Sequence, residues 1–255
     1  MSLPSTAWQK YVTMLLKISF TAAHQFFEYL DHHDVTTETG KEAAIEYAYA
    51  LATKYGEASA AVACEAYDAT AEAAGVIVPP ALPAETATFE EVATAINGTI
   101  NQDLPNESIS GAVGRLVKQA GADTTLQNAL RDGAEWAWIP SGDTCAFCIM
   151  LASNGWQRAS KKALRRGHAE HIHANCDCNY AVQFNGKPSY DFFNPDVYKE
   201  IYDNADAGPW WEKVNVIRQN IYEKNGDKIR AQKRAAYRRR KERLELKKKN
   251  GGATQ

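Results

Sequence analysis

Cys145 and Cys148 stand three apart in DTCAFCIMLASNGW (143–156), and His171, His173, Cys176 and Cys178 crowd into HIHANCDC (171–178). Thiols and imidazoles at this spacing suit three chemistries: a tetrahedral metal site, a redox dithiol, or a cysteine nucleophile paired with a histidine. Asp143 or Thr144 is a good N-cap, so CAFCIMLAS reads as a short buried helix ending near Asn154 and Gly155. Cys145 and Cys148 then share a face of its first turn, where free backbone N–H groups favour the thiolate. In the second group, a strand over 176–184 puts Cys176, Cys178, Tyr180, Val182 and Phe184 on one face. Three of those five are apolar, so that face is expected to be buried and to carry both thiols inward.

The two groups can meet in one zinc site, although they offer more ligands than its four places. Either all four cysteines bind, with His173 behind them, or three cysteines bind with His173. His171, two residues before His173, is a further candidate on the same strand face. No open coordination position is needed, so structural zinc is expected rather than catalytic zinc. The sequence HAE (168–170) has the His-x-Glu of zinc deaminases, but there Pro-Cys-x-x-Cys follows, whereas here Cys-x-x-Cys precedes and lacks the proline. A thioredoxin-like dithiol needs a neighbouring strand-helix-strand unit, and helical sequence flanks this region instead. A Cys–His nucleophile remains open on sequence alone. The balance favours a protein that is not an enzyme.

The elements that must position this cluster are mostly helical. Trp8, Tyr11, Val12, Leu15, Leu16, Ile18, Ala22, Phe26 and Tyr29 fall three and four apart, predicting a helix from Ser5 to about Leu30, with Pro4 and Ser5 as its start signal. After a turn at 31–40, a second helix is expected from about Thr39 to Ala74; its fourteen alanines suit close antiparallel packing, with Cys64 as a buried small apolar residue. Three prolines within 75–86 end it. Helices are then expected around Phe89 to Asn101, Ser110 to Trp138, and from Pro195 onward. The fold expected is mainly α: a helical N-terminal hairpin, a helical body, a small α+β metal-stapled module and a basic C-terminal helix. The corresponding units are 1–75, a Pro-rich linker at 76–88, a helical segment at 89–140, the Cys/His module at 141–186, and a helical segment with basic tail at 187–255.

The net charge of -2 hides a segregation. Residues 226–250 hold twelve Lys/Arg against three acids, a net of +9, which leaves -11 on the remainder. Arg230, Lys233, Arg234, Arg238, Arg239, Arg240 and Lys241 are the candidate nucleic-acid contacts. Six neutralised phosphates would give a log–log salt slope of about -5. Few aromatics interleave these charges, so base stacking and sequence-specific reading are not expected. An acidic protein surface would explain the tail equally well. No apolar run approaches the ~20 residues of a membrane span, and MLLKISF (14–20) is interrupted by Lys17 and lacks a cleavage site. An odd cysteine count without a secretory signal argues against a disulfide framework, so an intracellular chain is expected.

AEWAWIPSGDTCAFCIMLASNGW followed by HANCDC resembles the phage Mu F-like family of minor head proteins, in which Cys-x-x-Cys and a Leu-rich segment precede His-x-x-Cys-x-Cys. The resemblance covers about 134–184, and its pattern falls on Cys145, Cys148, His173, Cys176 and Cys178, with His171 outside it. KYGEASAAVACEAYDA (54–69) and KIRAQKRAAY (228–237) are similar, more loosely, to versions from phages of actinobacteria and other Gram-positive hosts. The resemblance implies a structural protein of the phage head, with portal and major capsid proteins as partners and roles in head morphogenesis and DNA packaging or ejection. It also implies residence in the virion, after assembly in the host cytoplasm. A zinc-containing nucleic-acid-binding protein of the cell is the alternative that the residues themselves leave open.

Overall fold

The computed structural model describes residues 5–102, 104–140, 144–159, 178–184, 186 and 193–251. Four helices make the body: α1 (Ser5–His32), α2 (Glu38–Ala74), α3 (Phe89–Ile100) and α4 (Asn106–Asp132). The stripe on α1 is the one its spacing predicts, with Trp8, Tyr11, Val12, Leu15, Ala22, Phe26 and Leu30 all buried. Thr37 starts α2 by accepting a hydrogen bond from the Gly40 N–H at 3.1 Å. Gly75 ends it in the left-handed region, at φ 69°. Small residues let α2 and α4 approach closely: a Cβ on Gly121 would lie 2.7 Å from the Ser59 hydroxyl. Cys64 is half-buried on α2 rather than fully buried, because its side of the helix meets the 76–88 segment instead of another helix.

Residues 76–88, with their prolines, form no regular element and therefore cannot satisfy their own backbone groups. Side chains from α2 and α4 supply the partners. Asp68 accepts from the Ala81 N–H, Asn128 both accepts from and donates to Leu82, and Thr124 accepts from the Ala84 N–H. Arg131 donates to the Pro79 and Pro80 carbonyls. The segment is thus strapped across the bundle. A capping box between Thr88 and Glu91 then starts α3.

The helix expected to reach Trp138 stops at Asp132. Gly133, at φ 66°, caps α4 in the left-handed region, and EWAWI becomes strand β1 (Glu135–Ile139). Its period of two puts Trp136 and Trp138 on one face and Ala137 and Ile139 on the other. β1 lies between β2 (Gln157–Arg158) and β3 (Asn179–Gln183), antiparallel to both, with Trp136 opposite Val182 and Trp138 opposite Tyr180. Ile139 and Ala181 pack on Trp8, Tyr11, Val12 and Leu15 of α1, while the tryptophan face packs on α4 and on α5 (Ala146–Ala152). Both faces of this sheet are therefore covered.

The chain ends in α6 (Pro195–Asp203) and α7 (Trp210–Gly251). Val214 and Ile217 of α7 are buried against Ala146 and Ile149 of α5, so α5 lies between the sheet and α7. At Asn225, φ -114° and ψ 15° interrupt the helix. No described helix is long and apolar enough to cross a membrane.

Candidate metal centre and basic arm

Cys145 itself, rather than Asp143 or Thr144, caps α5. It is extended, at φ -80° and ψ 162°, and its Sγ accepts a hydrogen bond from the Cys148 N–H at 3.4 Å. A sulfur at the cap position can take the role usually filled by a hydroxyl or carboxylate, which sequence preferences for N-caps do not suggest. Asp143 lies outside the described residues. The Cys145 and Cys148 sulfurs are 3.4 Å apart, far beyond a disulfide bond, so both are thiols. Four thiolates at about 2.3 Å from zinc lie about 3.8 Å from one another, and this pair is within a few tenths of an ångström of such an edge.

Cys178 enters β3 on the tryptophan face and is buried, as is Cys148, in the same apolar cluster with Trp136, Trp138, Tyr180, Val182 and Phe184. The expected inward face of this strand is therefore the observed one for Cys178, Tyr180, Val182 and Phe184. Tyr198 of α6 packs against the cluster, and burial followed by the nearby Cys178 pushes its hydroxyl's pKa up. The Trp138 indole N–H is buried with no hydrogen-bond partner among the described residues. A buried donor in a core that also holds Cys148 and Cys178 is suited to a charged sulfur acceptor. These features fit a metal–thiolate group.

The structure brings the Cys145 and Cys148 sulfurs together and places Cys178 in the same apolar cluster. His173 and Cys176, with His171, lie outside the described residues. Among the described residues no three His, Cys, Asp or Glu groups are arranged to hold a metal ion.

The basic arm is the part of α7 beyond Asn225. Arg230, Lys233, Arg234, Arg238 and Lys241 are exposed; Arg239 and Arg240 occupy helical positions whose side chains lie outside the described atoms. Arg230 is paired with Asp227 at 2.7 Å and Lys241 with Glu245 at 3.9 Å. The buried apolar side chains of α7 in this cluster end with Ile217, and Ile221 is only partly covered. Since Ala146 and Ile149 flank Cys148 on α5, the helix that carries the thiol pair also seats the helix that becomes the arm.

Several residues of the site leave little trace in sequence. Trp138 is signalled by the alternation in EWAWI, which the preceding helical pattern obscures. Tyr198 and the strap residues Thr124 and Asn128 matter through tertiary contacts, for which no local pattern exists.

Compared with known families, residues 2–205 match the one described as VG15 protein. No curated protein and no solved structure matches the chain.

Proposed function

The chain belongs to the VG15 protein family, a phage-related family of virion proteins, and from that premise we propose that it is a structural minor capsid protein of the phage head. The family match carries this reading, since it spans the helical body, the sheet and the cysteine module together. In the finer reading the protein is Mu F-like and sits with the portal and major capsid proteins, where it serves head morphogenesis and the passage of DNA. It performs no catalysis. Four of Cys145, Cys148, His173, Cys176 and Cys178 hold a structural zinc that closes the module around β1, α5 and β3. Zinc bound by thiolates stabilises only the folded module, because the ligands converge only there.

The function of the body and module is then to hold a basic arm in a fixed place. The arm lies outside the residues matched by the family, and its charge suits the phosphate backbone of packaged DNA. Quantitative protein analysis of purified particles tests the head role. The protein is expected in DNA-filled heads at a copy number far below that of the major capsid protein. Heads that lack it entirely, while the infected cell contains it, would reject the role.

A further inference from the structure

The arm's charges are unequal around the helix, and the continuous helical register beyond Asn225 assigns them to faces. Twelve basic and three acidic residues lie in 226–250. With Lys228 set at 0° and about 100° per residue, positions 228, 233, 239, 240, 243 and 247 fall between about 0° and 140°. No acid falls in that sector. The other six basic residues fall between about 200° and 300°, and Asp227, Glu242 and Glu245 fall among or beside them, at about 260° to 320°. The ion pairs Arg230–Asp227 and Lys241–Glu245 belong to this mixed sector. The acids of the arm thus fall on one side of the helix, and the other side holds none by position.

We propose that the arm binds double-stranded nucleic acid through the acid-free face alone, formed by positions Lys228, Lys233, Arg239, Arg240, Arg243 and Lys247, with the mixed face turned to solvent. The inference deepens the proposed contact with packaged DNA and rests on it. A phosphate backbone is the occupant that charge selects: the face carries Ile229, Ala236 and Leu246 as its apolar residues, with Leu244 at its edge, and these are spread among six cations along the helix rather than gathered into the buried apolar centre that a protein interface needs. From 228 to 247 the face runs about 28 Å at 1.5 Å per residue, the length of roughly eight base pairs at 3.4 Å each. The break at Asn225 offsets this face from the half of α7 packed on α5, and Lys233 reaches back across it over the Tyr222 ring, 6.0 Å from its centroid.

Two full-length variants with the same charge change test it. One is Lys233→Gln, Arg239→Gln, Arg240→Gln and Arg243→Gln; the other is Arg234→Gln, Arg238→Gln, Lys241→Gln and Lys248→Gln. Glutamine keeps helix propensity, and circular dichroism verifies that the helix remains. The probe is a 30-base-pair duplex of mixed sequence, titrated with salt. Wild type is expected to show a log–log slope of about -5, the first variant about -2 with at least a tenfold loss of affinity, and the second a slope within about one of wild type. Equal loss in both variants, or greater loss in the second, overturns the face assignment while leaving DNA binding intact. Absence of duplex binding by wild type, or equal affinity for poly-glutamate, overturns the DNA reading as well and assigns the arm to an acidic protein surface.

Discussion

Asn128 and Leu82 are joined by two hydrogen bonds: the Asn128 side-chain amide donates to the Leu82 carbonyl at 2.8 Å and accepts from its N–H at 3.0 Å. One side chain thereby does for the 76–88 segment what a neighbouring strand does in a sheet. Asn128 is itself buried, and its amide also donates to the Thr124 carbonyl. Asn128→Ala leaves both backbone groups of Leu82 without that partner, and a loss of about 2–4 kcal/mol is expected. Urea denaturation measures it. Asn128→Asp keeps the acceptor but loses the donor, and is expected to lose stability too.

Asp123 of α4 illustrates a cost built into the same bundle. Burial raises its pKa from 3.8 to about 6; the Gln119 side chain partly offsets this by hydrogen bonding, and the Glu91 charge adds to it. Because the folded pKa lies above the unfolded one, the folded chain binds more protons between these values. This group's contribution is therefore most favourable below pH 3.8 and becomes unfavourable as pH rises towards 6 and beyond. By pH 7 the penalty approaches about 3 kcal/mol. Asp123→Asn removes the ionisation, so its stability relative to wild type should increase from pH 4 to pH 7. Thermal melts of both proteins across that range check the trend.

Gly121 and Ser59 hold α4 and α2 together by proximity. A methyl at Gly121 would stand 2.7 Å from the Ser59 Oγ and 3.3 Å from its carbonyl oxygen. Gly121→Ala is expected to cost about 1–3 kcal/mol through overpacking. The Ser59 hydroxyl is buried and has no hydrogen-bond partner among the described residues, so Ser59→Ala alone costs little. Combined with Gly121→Ala, it should recover part of the loss, a coupling that a double-mutant cycle detects.

These pairs also mark where the sequence was readable. The stripe of α1, the alanines of α2 and the proline break at 76–88 are local patterns, and the helices follow them closely. The thiol pair on α5 and the inward face of β3 were legible for the same reason: spacing of three on a turn and alternation on a strand are short-range signals. β1 was hidden because helix-like sequence runs up to Gly133, and burial of both sheet faces blurs alternation. The Cys145 cap was hidden because sulfur is not among the preferred capping groups. Asn128 meets Leu82 across 46 residues, and no periodicity announces such a partner.

α5 transmits order from the module to the arm, since Ala146 and Ile149 seat Val214 and Ile217. Ile217→Ala should cost about 2–4 kcal/mol through the cavity it leaves. It should also raise hydrogen exchange in the first half of α7 while leaving α1 and α2 protected. Exchange measured by mass spectrometry resolves the two regions.

The most direct test of the metal-stapled module is metal content measured together with thiol accessibility in the native, full-length chain. A structural clamp predicts close to one equivalent of zinc per chain. It also predicts that the cysteines that bind the metal stay unreactive towards a thiol reagent while Cys64 reacts, and that they become reactive once a chelator is added. A metal-free chain in which Cys145, Cys148 and Cys178 react at once, with the fold intact, would contradict it.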